Sequence, residues 1–115
     1  MPRLKMYILV RDDVPVGNAM VAVAHASLAA YLAFRETQEV ADWLAGSFRK
    51  VVCMVNAKEF ANAKAVEDKL VLTESALDDR EIAIAFKPRT VWPRMFNLLR
   101  LYNDTGVSRA SATQE

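Results

Sequence analysis

The chain has 115 residues and a mass of 12.9 kDa, with 53% hydrophobic and 25% charged residues. This excludes a disordered chain and, at this length, more than one domain of ordinary size. Lys and Arg total 15 against 14 Asp and Glu, a net charge of +1, so the chain has no built-in pull on nucleic acid or acidic membranes. Such a partner must be met by a local basic patch. One cysteine and one histidine exclude an intrachain disulfide and a Cys/His zinc site. Cys53 lies in an apolar run, where a buried, reduced thiol is expected, as in the cytosol. The opening MPRLKMYILVRDD holds too short an apolar run for a signal peptide, so a cytoplasmic location is expected.

Met6 to Val10 (MYILV) is the first strand, an unbroken apolar run of the kind covered on both faces. Gly17 to Phe34 carries no formal charge but is rich in alanine and includes Asn18, His25 and Ser27. It reads as a core helix over Asn18 to Phe34, capped by Asn18, and not as a membrane span. Gln38 to Ala45 is a second helix that stops at Gly46. Val51 to Val55 is the next strand, and Ala57 to Lys69 a third helix capped by Asn56. Leu70 to Leu77 is a more polar edge strand. Asp78-Asp79 then turn the chain into a last strand, Ile82 to Phe86. Pro93 opens a fourth helix, Pro93 to Tyr102. The order β-α-α-β-α-β-β-α predicts an α/β fold, a three-layer α/β/α arrangement with a mixed four-stranded sheet. The domain is expected to span 1–103, with a flexible tail over 104–115.

Sites in open α/β sheets gather at the carboxyl ends of strands, which brings Arg11, Asp12, Asp13, Gly17 and Asn18 forward. Asp12 and Asp13 are adjacent on extended chain, so their side chains diverge and form no carboxylate pair by themselves. A lone glycine is no phosphate loop, although free N–H groups at the helix start suit an anion. On a helical wheel Asn18, Ala22, His25 and Ala29 share one small, partly polar face of a helix otherwise rich in Met20, Val21, Val23, Leu28, Tyr31, Leu32 and Phe34. Such a stripe either lines a cleft, with His25 as general base, or holds a satisfied structural histidine. Asp78 belongs to a hairpin turn, where it is either solvated or placed at the same sheet end to orient His25 or a water. The segment KPRTVWPRMFNLLR is the most basic, and its Lys87 and Arg89, with Trp92, suit phosphate contacts or form a solvated rim.

Lys5-Met6 leading into the first strand, Val10-Arg11, Asp13, Gly17, Ala24-His25-Ala26 and Tyr31 resemble the start of the type 2 peptidyl-tRNA hydrolase family. Trp43, Lys50-Val51-Val52, Ile82-Ala83-Ile84 and Leu99-Arg100-Leu101-Tyr102 extend the resemblance over residues 5 to 102. The resemblance implies homodimers and hydrolysis of the ester joining a peptide to tRNA; no cofactor, metal or membrane partner is expected. It carries the family histidine onto His25, the catalytic lysine position onto Asn18, the helix glutamine onto Ala22 and the loop aspartate onto Asp78. Catalysis is thus expected from His25, Asp78 and Asn18, and tRNA binding from Arg11, Lys87 and Arg89. Asn18, Ala22 and a shortened loop before the last strand keep a second expectation open: a catalytically silent binding module of the same fold, acting as a homodimer on another ligand or protein.

Overall fold

The computed structural model describes residues 3–103. The tail expected over 104–115 lies outside the described residues. Strand β1 (Met6–Arg11) leads into α1 (Val16–Phe34), α2 (Gln38–Ala45), β2 (Lys50–Val55), α3 (Ala57–Ala63), β3 (Lys69–Glu74), β4 (Arg80–Phe86) and β5 (Arg100–Leu101). Three-residue and five-residue 3₁₀ turns, Ser75–Leu77 and Arg94–Leu98, precede β4 and β5.

The sheet order is β3-β4-β1-β2-β5. β1 and β2 are parallel, in register from Met6↔Lys50 to Arg11↔Val55. β4 runs antiparallel to both β1 and β3. One face carries α1 and α2 over Ile8, Val10, Ala83 and Ala85, and the other carries α3 and the Phe96 turn over Leu9, Cys53, Ile84 and Phe86. Helices on both faces explain why β1 and β4 are apolar without alternation.

The sheet has five strands rather than the expected four. The expected helix from Pro93 to Tyr102 is a 3₁₀ turn followed by β5, because the exposed edge of β2 needs a partner. Leu99 turns extended, Cys53 pairs with Leu101, and the Tyr102 amide donates to the Val52 carbonyl at 2.8 Å. Phe96 remains buried, edge-on to Tyr7 and Phe86 at 4.9 and 5.2 Å between centroids.

Two helix expectations shift. α1 begins at Val16 behind Pro15, whose carbonyl accepts from the Ala19 amide, so Asn18 is the third helical residue and not the cap. Gly17 is an ordinary helical residue; no glycine among the described residues has a positive φ. α3 ends at Ala63 rather than Lys69, but its start is as expected: Asn56 and Glu59 form a reciprocal capping box, with bonds of 2.8 and 2.9 Å.

The face that α1 buries also differs. Ala19, Ala22, Ala26 and Ala30 lie against the sheet, whereas Met20 and Leu28 are 69% and 58% exposed. Ala83 and Ala85 of β4 belong to the same buried cluster. Small side chains on both surfaces let the helix axis approach the sheet closely, and a Leu or Met between them would hold the layers apart. Ala22 is therefore a core contact, not part of a cleft-lining stripe. By length and hydropathy alone α1 could cross a membrane, but its alanine face is occupied by the sheet.

Candidate active site

The carboxyl ends of β1 and β2 and the start of β4 meet at one pole of the sheet. The antiparallel register, Val10↔Ala83, brings Arg80 beside the segment that follows Arg11. Arg80 donates a short hydrogen bond to Asp13, although the two are 67 positions apart in sequence. Arg11 donates to the other Asp13 oxygen at 3.4 Å and lies over the Phe60 ring at 5.8 Å. The Arg80 hydrogen bond holds the Asp13 carboxyl below its usual pKa, against a smaller opposing effect of burial. Asp12 takes a third arginine, Arg100 of β5, at 3.4 Å.

Asp12 and Asp13 do diverge, as adjacent extended residues must, but each is caught by an arginine from a distant strand. Arg80 and Arg100 were missed as site residues. The one available signal was the strand-like alternation Leu99-Arg100-Leu101-Tyr102, which would have flagged an extended segment.

Asp78 and Asp79 stand at this same pole, in the turn leading into Arg80. Both are left-handed, with φ of 59° and 57°, and the Asp79 amide donates to the Glu74 carbonyl. Aspartate tolerates that conformation better than most residues, so the sharp corner needs no glycine. Both side chains are exposed.

His25 is exposed on α1, nine residues past Val16, or about 14 Å along the axis at ~1.5 Å per residue. No hydrogen bond or ion pair reaches it among the described residues. Its flank of the helix follows from the opposite one. Ala19, Met20 and Val23 line a cavity of about 440 Å³ with Val52 and Tyr102, on the β2 side. The other flank, with half-buried Asn18 and Ala29 and exposed His25, is turned toward β3 and β4, where Leu72 and Leu77 pack beneath α1. The turn bearing Asp78 is on that side. No hydrogen bond joins His25 to Asp78 among the described residues.

A second hollow of about 340 Å³ opens beside the α1 start, lined by Asp12, Val14, Val16, Met54, Arg100 and Tyr102 among others. The first turn of α1 has no side-chain cap and no acidic residue, so its N–H groups are left for solvent or a ligand. Among the described residues no three side chains are grouped to hold a metal ion.

Lys87 and Arg89 sit at the other pole, past the end of β4. Lys87 is 16% exposed in its side chain and is shared by Glu39 and Asp68 at 3.6 and 3.5 Å. Arg89 pairs with Lys5 through both backbone bonds and lies over the Trp92 ring at 5.2 Å. Thus Arg11 and Lys87 both hold carboxylates already, and they lie at opposite ends of the sheet.

The family model described as peptidyl-tRNA hydrolase PTH2 matches residues 4–92, from the residue before Lys5 to Trp92. The chain belongs to the peptidyl-tRNA hydrolase PTH2 family. The search of curated proteins found no match. The span shared with the PTH2 family covers β1 to β4, all of α1 and the Asp13–Arg80 clamp; it stops short of β5, so Arg100 and Tyr102 lie beyond it. A hydrolase-like function on peptidyl-tRNA is what family membership supports.

Proposed function

We propose that this chain hydrolyses the ester between a peptide and tRNA at the α1 flank facing β3 and β4. The observation that supports this reading is the exposed His25, which has no hydrogen-bond or ion-pair partner among the described residues, on the flank of α1 turned toward the Asp78 side of the sheet. In this scheme the neutral His25 imidazole takes a proton from water as the oxygen attacks the ester carbonyl carbon. The Asn18 side-chain amide donates to the oxyanion that forms, and Asp78 orients the water or the ring. Collapse breaks the bond to the ribose oxygen, which takes the proton back from His25. The products are a free peptide acid and tRNA. Arg11, Lys87 and Arg89 are the proposed tRNA contacts, and the cytoplasm is the proposed location.

The test is release of tRNA from N-acetyl-aminoacyl-tRNA by the purified chain. Loss of a general base lowers the rate about 10²–10⁴-fold, which sets the expectation for His25→Ala. A similar or smaller loss is expected for Asp78→Ala. Absence of turnover above background removes the hydrolase reading, and turnover indifferent to both substitutions removes this site.

The second reading, a binding module without chemistry, is favoured by one observation. Ala22, on the position of the family glutamine, is 3% exposed and brings no polar atom to the site. tRNA binding without turnover selects it.

A homodimer belongs to either reading. Val21, Leu28 and Leu32 form one exposed apolar stripe along α1, with His25 at its rim, of the kind that a second copy covers. Leu28→Glu is expected to shift sedimentation from dimer to monomer; a wild-type monomer rejects the dimer.

A further inference from the structure

Some cations among the described residues hold carboxylates and others do not, Arg3, Lys58, Lys69 and Arg94 being scattered members of the second kind. Arg11, Arg35, Lys64, Arg80, Lys87 and Arg100 each hold a carboxylate. Lys5, Arg49, Lys50 and Arg89 pair with no carboxylate among the described residues, and they stand together. Lys5 precedes β1, Arg89 follows β4 and bridges to Lys5, and Lys50 opens β2 directly across from Met6. Arg49 is one residue earlier, its carbonyl accepting from the Met6 amide at 2.9 Å. β4, β1 and β2 are neighbours, so the four cations cross one end of three adjacent strands, a width of about 10 Å at ~4.8 Å per strand.

Alternation places Lys5 and Arg49 on the α3 face and Lys50 on the α2 face, and Arg89, bridged directly across from Lys5, shares the face of Lys5. Ring contacts agree: Lys5 lies over Tyr7 at 5.3 Å and Arg89 over Trp92 at 5.2 Å, whereas Lys50 lies over Trp43 and Phe48 at 5.3 and 4.9 Å. These contacts hold the stems of three of the four side chains without neutralising their charge. Phe48 itself is 52% exposed at a φ of 35°, a left-handed conformation that bulky residues rarely adopt, and it stands beside Arg49. A line of uncompensated cations with a projecting aromatic ring is the chemistry of backbone tracking and base stacking. The cavity that Arg89 borders stays acidic, with Glu39, Asp42, Glu67 and Asp68 against Lys87, which is shared by Glu39 and Asp68; Glu39 and Asp42 come from α2, and no carboxylate of the cavity is within ion-pair distance of Arg89.

We propose that Lys5, Arg49, Lys50 and Arg89 form a second RNA contact that grips the phosphodiester backbone of the tRNA body, about 20 Å along β1, at ~3.3 Å per residue, from the pole that holds Asp13, Asp78 and the start of α1. This rests on the reading of tRNA as the ligand. It replaces Arg11 and Lys87, already engaged by carboxylates, as the main source of affinity.

The experiment measures binding of fluorescent deacylated tRNA to the full chain across a salt series. Each lost phosphate contact flattens the log–log salt slope by about 0.7–0.9. Arg49→Gln/Arg89→Gln is therefore expected to flatten it by about 1.4–1.8 and to weaken binding at least about tenfold at ~0.1 M salt. Lys58→Gln, which removes one charge from exposed α3, is expected to leave the slope near wild type, whereas Arg49→Gln alone is expected to flatten it by about 0.7–0.9. A double variant with wild-type affinity and slope overturns the proposal, as does an equal loss in Lys58→Gln. Poly-glutamate bound as tightly as tRNA, and lost in the double variant, assigns the row to an acidic protein instead and also overturns it. The slope loss in a chain that hydrolyses no ester leaves this contact standing while the hydrolase reading falls.

Discussion

Replacing Asp13 with Asn tests the clamp that joins the head of β4 to the approach to α1. The Asp13 carboxylate accepts from Arg80 and Arg11 on separate oxygens, and the Asn variant keeps one acceptor for Arg80 while losing the charge and the second acceptor. The pair is partly solvated: side-chain exposures are 52% for Asp13 and 34% for Arg80. Solvent screening therefore limits the effect to about 0.5–1 kcal/mol at neutral pH. For a domain of this size that corresponds to a fall in Tm of about 2–4 °C.

The pH dependence follows from the direction of the shift. Asp13 titrates lower in the folded chain than its ordinary 3.8, so its contribution is fully present above that value and disappears as pH falls through the lowered one. Urea melts of wild type and Asp13→Asn are thus expected to differ at pH 7 and to converge as the pH falls below 3.8 through the lowered folded-state value. A double-mutant cycle with Arg80→Gln is expected to return a coupling of about 0.5–1 kcal/mol. A stability gap unchanged between pH 7 and acid refutes the reasoning, and so does a coupling near zero.

Phe96→Ala is expected to destabilise the chain by about 3–5 kcal/mol in chemical denaturation, because the ring is 2% exposed and touches Tyr7, Phe86 and Trp92. Asn56→Ala removes one half of a reciprocal cap and is expected to cost about 0.5–2 kcal/mol by the same measurement. Burial pushes the Cys53 thiol up to about 11, so iodoacetamide labelling at pH 8 is expected to be slow in the folded chain and fast in denaturant. Fast labelling under native conditions contradicts the burial of β2.

Much of the fold is legible in the order of residues alone. The runs MYILV, VVCMV and IAIAF are strands wherever they land, because an unbroken apolar stretch of that length needs cover on both faces. Asn56 with Glu59 marks a helix start through atoms only three residues apart, and Asp78-Asp79 marks a corner for the same local reason. The spacing of Arg11, Asp13, His25 and Tyr31 carries the family.

Tertiary contacts decided the rest. The wheel of α1 divides large from small side chains, but only the arrival of Ala83 and Ala85 selects the alanine side as the buried one. β5 exists because β2 leaves an unpaired edge, a fact about strand order and not about the periodicity of Met95 to Leu99. The engagement of Lys87 by Glu39 and Asp68, and the gathering of Lys5, Arg49, Lys50 and Arg89 away from any carboxylate among the described residues, likewise depend on segments far apart in the chain meeting at one end of the sheet. Periodicity and composition report what each segment must bury, and pairing between distant segments determines what is left over to act.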